Sequence, residues 1–131
     1  MAAKRVLSVG QCSADQWSIE RLVSGRFGAE VIPAHTTREA LEYLRQGLVD
    51  LVLVNRVFDR DGGSGLDLIT RIKTDAGLKA VPVMLVSNYE DAQTQAVERG
   101  ALPGFGKAAL SAPETLDRLG TILGEAPSAA P

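Results

Sequence analysis

The segment Asp50-Leu-Val-Leu-Val-Asn55 decides the fold. Its four central residues are apolar without interruption, a pattern typical of a parallel strand that is covered by helices on both faces. Four further stretches have strand length and are apolar to differing degrees: residues 6–9, 30–33, 81–86 and 102–107, the last of them around Phe105. Pro33 in the second stretch favours an edge position in the sheet, since proline cannot donate a ladder hydrogen bond.

Segments with helical apolar spacing separate these strands. Each follows a Ser or Thr with an acid or amide three residues later, which is the capping-box pattern: Ser13 with Gln16, Thr36 with Glu39, Ser64 with Asp67, Ser87 with Glu90, and Ser111 with Glu114. Strict alternation of strand and helix predicts an α/β protein, a doubly wound five-stranded parallel sheet in a three-layer sandwich.

Composition excludes several classes of function. The 131 residues carry a formal net charge of −2, which gives no electrostatic footprint for nucleic acid or a membrane surface. Cys12 is the only cysteine, so no internal disulfide forms and a reducing, cytoplasmic location is expected. We expect one domain over residues 1–123 and a disordered tail over 124–131, with no metal and no cofactor.

Candidate functional residues lie where the predicted strands end, because ligands of open parallel sheets bind at the carboxyl ends of the strands. These residues are Gly10, Gln11, Asn55, Ser87 and Lys107. Two of them have simpler structural interpretations. Ser87 opens a capping box, so it is explained as well by a role as helix N-cap as by a role in the site. Lys107 has a structural interpretation as a donor to strand-end carbonyls or to Asn55.

The sequence resembles the receiver domain of bacterial response regulators, the family of the chemotaxis response regulator. The resemblance runs from Lys4 to about Leu123 and is carried by the order and spacing of four segments: 50–55, 65–72, 81–87 and 100–107. It implies a flavodoxin-like sheet with strand order 2-1-3-4-5.

Departures from the family pattern fall on the residues that carry its chemistry. Gly10 and Gln11 stand where the resemblance implies two acids, and Asn55 stands at the phosphoacceptor aspartate. Ser87 and Lys107 match the family's hydroxyl residue and lysine. The loop 56–64 is longer than is usual in the family. Gly104 stands where the resemblance implies the aromatic residue of the switch, and Ala108 stands where it implies the proline after the lysine.

These replacements remove the phosphorylation chemistry together. Mg²⁺ prefers carboxylate oxygens, and an amide is a poor nucleophile compared with a carboxylate. The sequence therefore predicts a degenerate, phosphorylation-independent receiver that is not an enzyme. It would act in signal transduction through a protein partner, such as a kinase, an output domain, another signalling protein or a second copy of the chain. We expect a trans Lys107–Ala108 bond, with Lys107 displaced from its usual reach.

Two alternatives remain open at this point. One is phosphorylation of Asp59 or Asp61 in the longer loop, and the other is a small-ligand or anion-binding α/β domain that uses the strand-end crevice with Lys107. For a protein partner, the candidate contact residues are Trp17, which shares a helix side with Glu20 and Arg21, and the residues Tyr89, Gln93 and Phe105.

Overall fold

The structure, a computed structural model, describes residues 3–124. Strands and helices alternate in this order: β1 (Arg5–Val9), α1 (Ser13–Phe27), β2 (Glu30–Ala34), α2 (Thr37–Arg45), β3 (Leu51–Asn55), α3 (Gly65–Thr74), β4 (Val83–Val86), α4 (Glu90–Glu98), β5 (Leu102–Phe105) and α5 (Pro113–Leu123). A short 3₁₀ turn, Lys107–Ala109, precedes α5. The predicted tail lies outside the described residues from position 125 onward.

All strand pairs are parallel, and the sheet order is β2-β1-β3-β4-β5. The predicted fold class and strand order are both confirmed. Pro33 lies on the edge strand β2, paired with Ser8 of β1, where a missing N–H is tolerated.

Two hydrophobic cores lie on opposite faces of the sheet. Helices α2, α3 and α4 cover one face and contribute buried residues such as Leu41, Ile69 and Ala96. Helices α1 and α5 cover the other with Ile19, Leu119 and their neighbours. Every residue of β3 is buried, as its uninterrupted apolar sequence predicts. No helix within residues 3–124 is long and apolar enough to cross a bilayer.

Only two of the five predicted capping boxes place their Ser or Thr at the N-cap. Thr36 and Ser64 are N-caps and accept from the backbone N–H groups three residues on. The other three predictions were wrong, because those helices begin at other residues. Ser13 is already the first residue of α1, Pro113 fixes the start of α5 one residue later than predicted, and Tyr89 rather than Ser87 is the N-cap of α4.

Strand β5 contains an irregularity that turns Phe105 into the core. Met84 pairs with Leu102 and Val86 with Phe105, so two steps along β4 match three along β5, as in a β-bulge. Phe105 is only 4% exposed and packs in the core beneath α1 and α5. Its prediction as an interaction-surface residue was therefore wrong.

Candidate functional site

Three of the five predicted site residues line one cavity at the carboxyl end of the sheet. Asn55, Ser87 and Lys107 border a space of about 390 Å³ together with the loop after β3 and the start of α4. Gly10 and Gln11 do not line it. Gln11 instead borders a separate cavity on the β2 side, so the predicted site is divided into two parts.

Asn55 uses its amide to join β1 to the loop after β3. Its Nδ2 donates to the carbonyl of Gly10 at 2.9 Å and to that of Val57 at 2.7 Å, and the residue is only 7% exposed. An aspartate here would have no hydrogen to donate in its ionised form. The position is therefore built for an amide.

Phe58 fills the space beside Gly10. The Phe58 ring is 1% exposed and belongs to the core under α2 and α3. A Cβ on Gly10 would lie 2.2 Å from the Phe58 Cδ1, and Gly10 also has a φ of +77°, a conformation that glycine adopts most readily. Any side chain at position 10 would collide with this ring.

These contacts do not fit Mg²⁺, the metal that the resemblance implies for an active receiver. The Asn55 amide nitrogen faces two carbonyls, and the Phe58 ring occupies the position of an acid at Gly10. Within residues 3–124, no three His, Cys, Asp or Glu side chains group together as a metal site would need. We derive no step through a metal.

Lys107 is held by an acid that the sequence did not predict as part of the site. Its Nζ lies 2.9 Å from Oδ2 of Asp15, in the first turn of α1. The hydrogen bond from Lys107 lowers the pKa of Asp15, partial burial opposes this, and a hydrogen bond with the Cys12 thiol adds to the lowering. The interpretation of Lys107 as a donor to strand-end carbonyls or Asn55 was therefore wrong. The Lys107–Ala108 bond is trans, as expected.

Ser87 has a local role, although it is not the N-cap of α4. Its hydroxyl accepts from the backbone N–H of Tyr89 at 3.2 Å, and the residue is buried. Next to it, the guanidinium of Arg56 lies 4.8 Å from the centroid of the Tyr89 ring, a cation–π distance. Tyr89 is 62% exposed, so this stacked pair forms an accessible feature beside the crevice.

The loop 56–64 folds back on itself as a small hairpin. Val57 pairs with Ser64 in an antiparallel bridge, and the backbone N–H of Phe58 donates to the carbonyl of Gly63 at 2.8 Å. Asp61 accepts from the backbone N–H of Gly63, and Asp59 donates its own N–H to the carbonyl of Gly10. Both aspartates are exposed.

Gln93 joins α4 to the two last strands. Its Nε2 lies 2.9 to 3.3 Å from the carbonyls of Leu85, Ser87 and Phe105, and its Oε1 accepts from the N–H of Gly104. A Cβ on Gly104 would lie 2.1 Å from the Leu85 carbonyl oxygen. The Gln93 amide is thus bonded within the fold, while contact of the partly exposed Gln93 with a partner stays a prediction.

Three residues were missed as parts of the site: Asp15, Phe58 and Arg118, which donates from α5 to the carbonyl of Gly104. A sequence signal existed only for Phe58, a lone aromatic within an otherwise largely polar loop. Trp17 is 59% exposed, as expected for the polar helix side that it shares with Glu20 and Arg21, while its role in binding stays a prediction.

Comparison with solved structures finds close likenesses over almost the whole chain. A Chloroflexus aurantiacus protein provisionally named a response regulator has a TM-score of 0.82 and 22% identity, covering 95% of this chain and 100% of its own. A response regulator from Thermotoga maritima has a TM-score of 0.74 and 24% identity, with the same coverage. The receiver domain of NtrX from Brucella abortus has a TM-score of 0.62 and 26% identity, covering 87% of this chain and 90% of its own.

No protein-family model matches the sequence, and the comparison with curated proteins finds no match either. The sheet order and the strand-end crevice define a doubly wound α/β protein whose site lies at the carboxyl edge of the sheet. Its fold is that of the receiver domains of response regulators.

Proposed function

We propose that this chain is an atypical receiver module of a cytoplasmic signalling pathway, which binds a protein partner without being phosphorylated and is not an enzyme. The observation that carries the proposal is the amide of Asn55. It donates to the carbonyls of Gly10 and Val57, so the family's phosphoacceptor position serves as a structural joint.

Two further contacts support the proposal. Phe58 fills the space beside Gly10, where the resemblance implies a metal-binding acid. Lys107, the family's phosphate-binding lysine by resemblance, is neutralised by Asp15. A phosphoryl group attached at position 55 would have neither a metal nor a free lysine to balance its charge.

The partner surface would be fixed by the fold rather than switched. Without a ligand that binds one of two conformations more tightly than the other, the populations of those conformations do not change. The amide of Gln93 and the guanidinium of Arg118 both hold β5 in its bulged form. The accessible pair of Arg56 and Tyr89 is the feature that we expect a partner to contact beside this face.

The first experiment tests phosphorylation directly. The protein is incubated with acetyl phosphate and Mg²⁺, and its intact mass is measured. We expect no phosphoryl adduct on the wild type. An adduct lost in Asp59→Asn or Asp61→Asn would overturn the proposal in favour of a non-standard phosphoacceptor.

The second experiment tests the mode of action. A partner isolated from native lysate is titrated against the wild type and Tyr89→Ala, each with and without acetyl phosphate. We expect Tyr89→Ala to weaken binding and the phosphodonor to change nothing. The exposed Tyr43 of α2 offers a matched control, since Tyr43→Ala should bind the partner normally. Phosphodonor-dependent affinity in the wild type would contradict the proposal.

A second candidate function is recognition of a small anion by the 390 Å³ cavity. Arg56, Ser87 and Lys107 line it and no carboxylate does. Because Asp15 already neutralises Lys107, the charge that would attract an anion comes from Arg56. A melting-temperature screen with phosphate and nucleotides tests this alternative, since a ligand that binds the native state raises the melting temperature.

A further inference from the structure

A second cavity, of about 630 Å³, lies above the carboxyl ends of β1 and β2. It is bordered by the first turns of α1, by Pro33 and His35 at the end of β2, and by Asp59 and Arg60 of the extended loop. It shares none of its lining residues with the cavity at Asn55. The extended loop, one of the departures from the family pattern, forms one of its walls.

At this cavity the whole amide of Gln11 and the amide nitrogen of Gln16 lack hydrogen-bond partners within residues 3–124. Gln11 is only 5% exposed, and neither its Nε2 nor its Oε1 is bonded within the described chain. The buried Nε2 of Gln16, one turn along α1, is unpartnered as well. Buried side-chain amides are normally bonded, because an unmade hydrogen bond in the interior destabilises the fold. Three buried polar atoms in residues that line one cavity are therefore available to bond a ligand that enters it.

Trp17 supplies an aromatic wall to the same cavity. Its indole is 59% exposed, and the guanidinium of Arg21 lies 4.9 Å from its centroid. Arg21 lines a smaller neighbouring cavity that Trp17 also borders, and it does not line this one. The Trp17 indole is therefore exposed at this cavity and available for stacking.

We propose that this cavity binds a small planar heteroaromatic ligand of the nucleobase or nucleoside class, stacked on Trp17 and hydrogen-bonded by Gln11 and Gln16. A carboxamide presents a donor and an acceptor side by side, and a nucleobase edge presents the complementary pair. Stacking of a base on an aromatic side chain is sequence-tolerant and favourable. The volume lies within the range of small-molecule sites.

Charge at the cavity selects against a phosphorylated ligand. Glu20 and Asp59 contribute two carboxylates, whereas Arg60 contributes one guanidinium. The Gln11 amide atoms and the Gln16 Nε2 are shielded from solvent, so binding includes a rotation of both side chains toward the ligand edge. The ligand is therefore an uncharged base or nucleoside rather than a nucleotide.

Trp17 is the only tryptophan, so its fluorescence reports binding directly. Adenosine, guanosine, cytidine and uridine are titrated separately into the wild type, Gln11→Leu and Gln95→Leu. We expect at least one nucleoside to quench Trp17 saturably, with binding about tenfold or more weaker in Gln11→Leu. Gln95 is exposed on α4 and does not line the cavity, so Gln95→Leu should bind as the wild type does.

A second readout separates a binding role of Gln11 from a structural one. Removing an unpartnered amide from the interior should raise the melting temperature of the free protein in Gln11→Leu, whereas removing a structurally bonded glutamine would lower it. Gln16→Leu provides an independent amide deletion and should also weaken the quenching. Absence of saturable quenching with all four nucleosides at millimolar concentration, or equal binding of free ribose, would overturn the proposal.

Discussion

Two buried amides at neighbouring strand ends have opposite hydrogen-bond states. Asn55 and Gln11 are similarly buried, at 7% and 5% exposure, and both stand where the receiver family places acids by resemblance. Asn55 donates to two carbonyls, whereas neither amide atom of Gln11 has a partner within the described residues. The same chemical group is therefore hydrogen-bonded at one position and without a partner at the other.

The difference comes from what surrounds each amide rather than from the amide itself. The extended loop brings Val57 and Phe58 against the end of β1, so the Asn55 amide is bonded and the space beside Gly10 is filled. On the Gln11 side the same loop stands away and leaves a cavity lined by Asp59 and Arg60. A buried amide at a strand end is thus bonded only where the loop packs against it.

The largest loss of stability is expected at Gly10, which packs tightly against the Phe58 ring. Gly10→Ala should lower the free energy of unfolding by about 3 to 4 kcal/mol, because it adds backbone strain at positive φ and a collision with Phe58. Gly47 is the matched control: its φ is +75°, and nothing lies within 4 Å of the position that an added methyl group would take. Gly47→Ala should cost only about 1 kcal/mol, and equal losses in urea unfolding would contradict the packing argument.

Asn55→Asp tests whether the joint needs an amide. We expect a loss of about 2 to 3 kcal/mol at neutral pH, because two donated hydrogen bonds disappear and a carboxylate faces two carbonyls. Burial raises the pKa of such a carboxyl, so the deficit should grow as the pH rises above the ordinary range of aspartate.

Asn88→Asp is the control for this change. The Asn88 side chain uses its oxygen, which accepts from the N–H of Ala108 at 3.0 Å, and a carboxylate keeps that bond. Its unfolding free energy should therefore stay close to the wild-type value. If Asn55→Asp were as stable as Asn88→Asp across pH 5 to 8, the joint would not depend on an amide donor.

Gln93→Leu extends the comparison of Asn55 and Gln11 to a third amide, whose nitrogen and oxygen both form hydrogen bonds. We expect a loss of about 1 to 2 kcal/mol and faster hydrogen exchange at the Gly104 amide, whose acceptor is removed. The exposed Gln95, two residues along the same helix, gives the control Gln95→Leu. Unchanged exchange at Gly104 in Gln93→Leu would argue against the bridging role.

The smallest effect concerns the ion pair of Asp15 and Lys107. Asp15→Asn should cost less than about 1 kcal/mol, since both side chains remain partly exposed. The pKa of Asp15 is lowered in the folded state, so its contribution is present above the pKa of the unfolded chain and disappears as the pH falls through the folded value. Urea unfolding of both proteins between pH 2 and 6 measures this; a difference that persists at the acid end would contradict it.

The sequence placed Asn55, Ser87 and Lys107 at one edge of the sheet, but it did not identify the residues that bond to them. Asn55 and Lys107 were located by the ends of apolar strands, because parallel strands direct their carboxyl ends to one edge. The pairing of Lys107 with Asp15 joins residues far apart in sequence, and no local periodicity encodes such a contact. The capping pattern failed at Ser13 and Ser111 because a shift of one residue in a helix start moves the serine out of the N-cap.

The contact between Gly10 and Phe58 also sets how many changes a carboxylate site at this edge of the sheet would need. An acid introduced at position 10 would meet the Phe58 ring, and an acid introduced at position 55 would face two carbonyls. Neither substitution alone would assemble a cluster of metal-binding carboxylates. Such a site would require coordinated changes at positions 10, 55 and 58, so this edge of the sheet resists conversion by single substitutions.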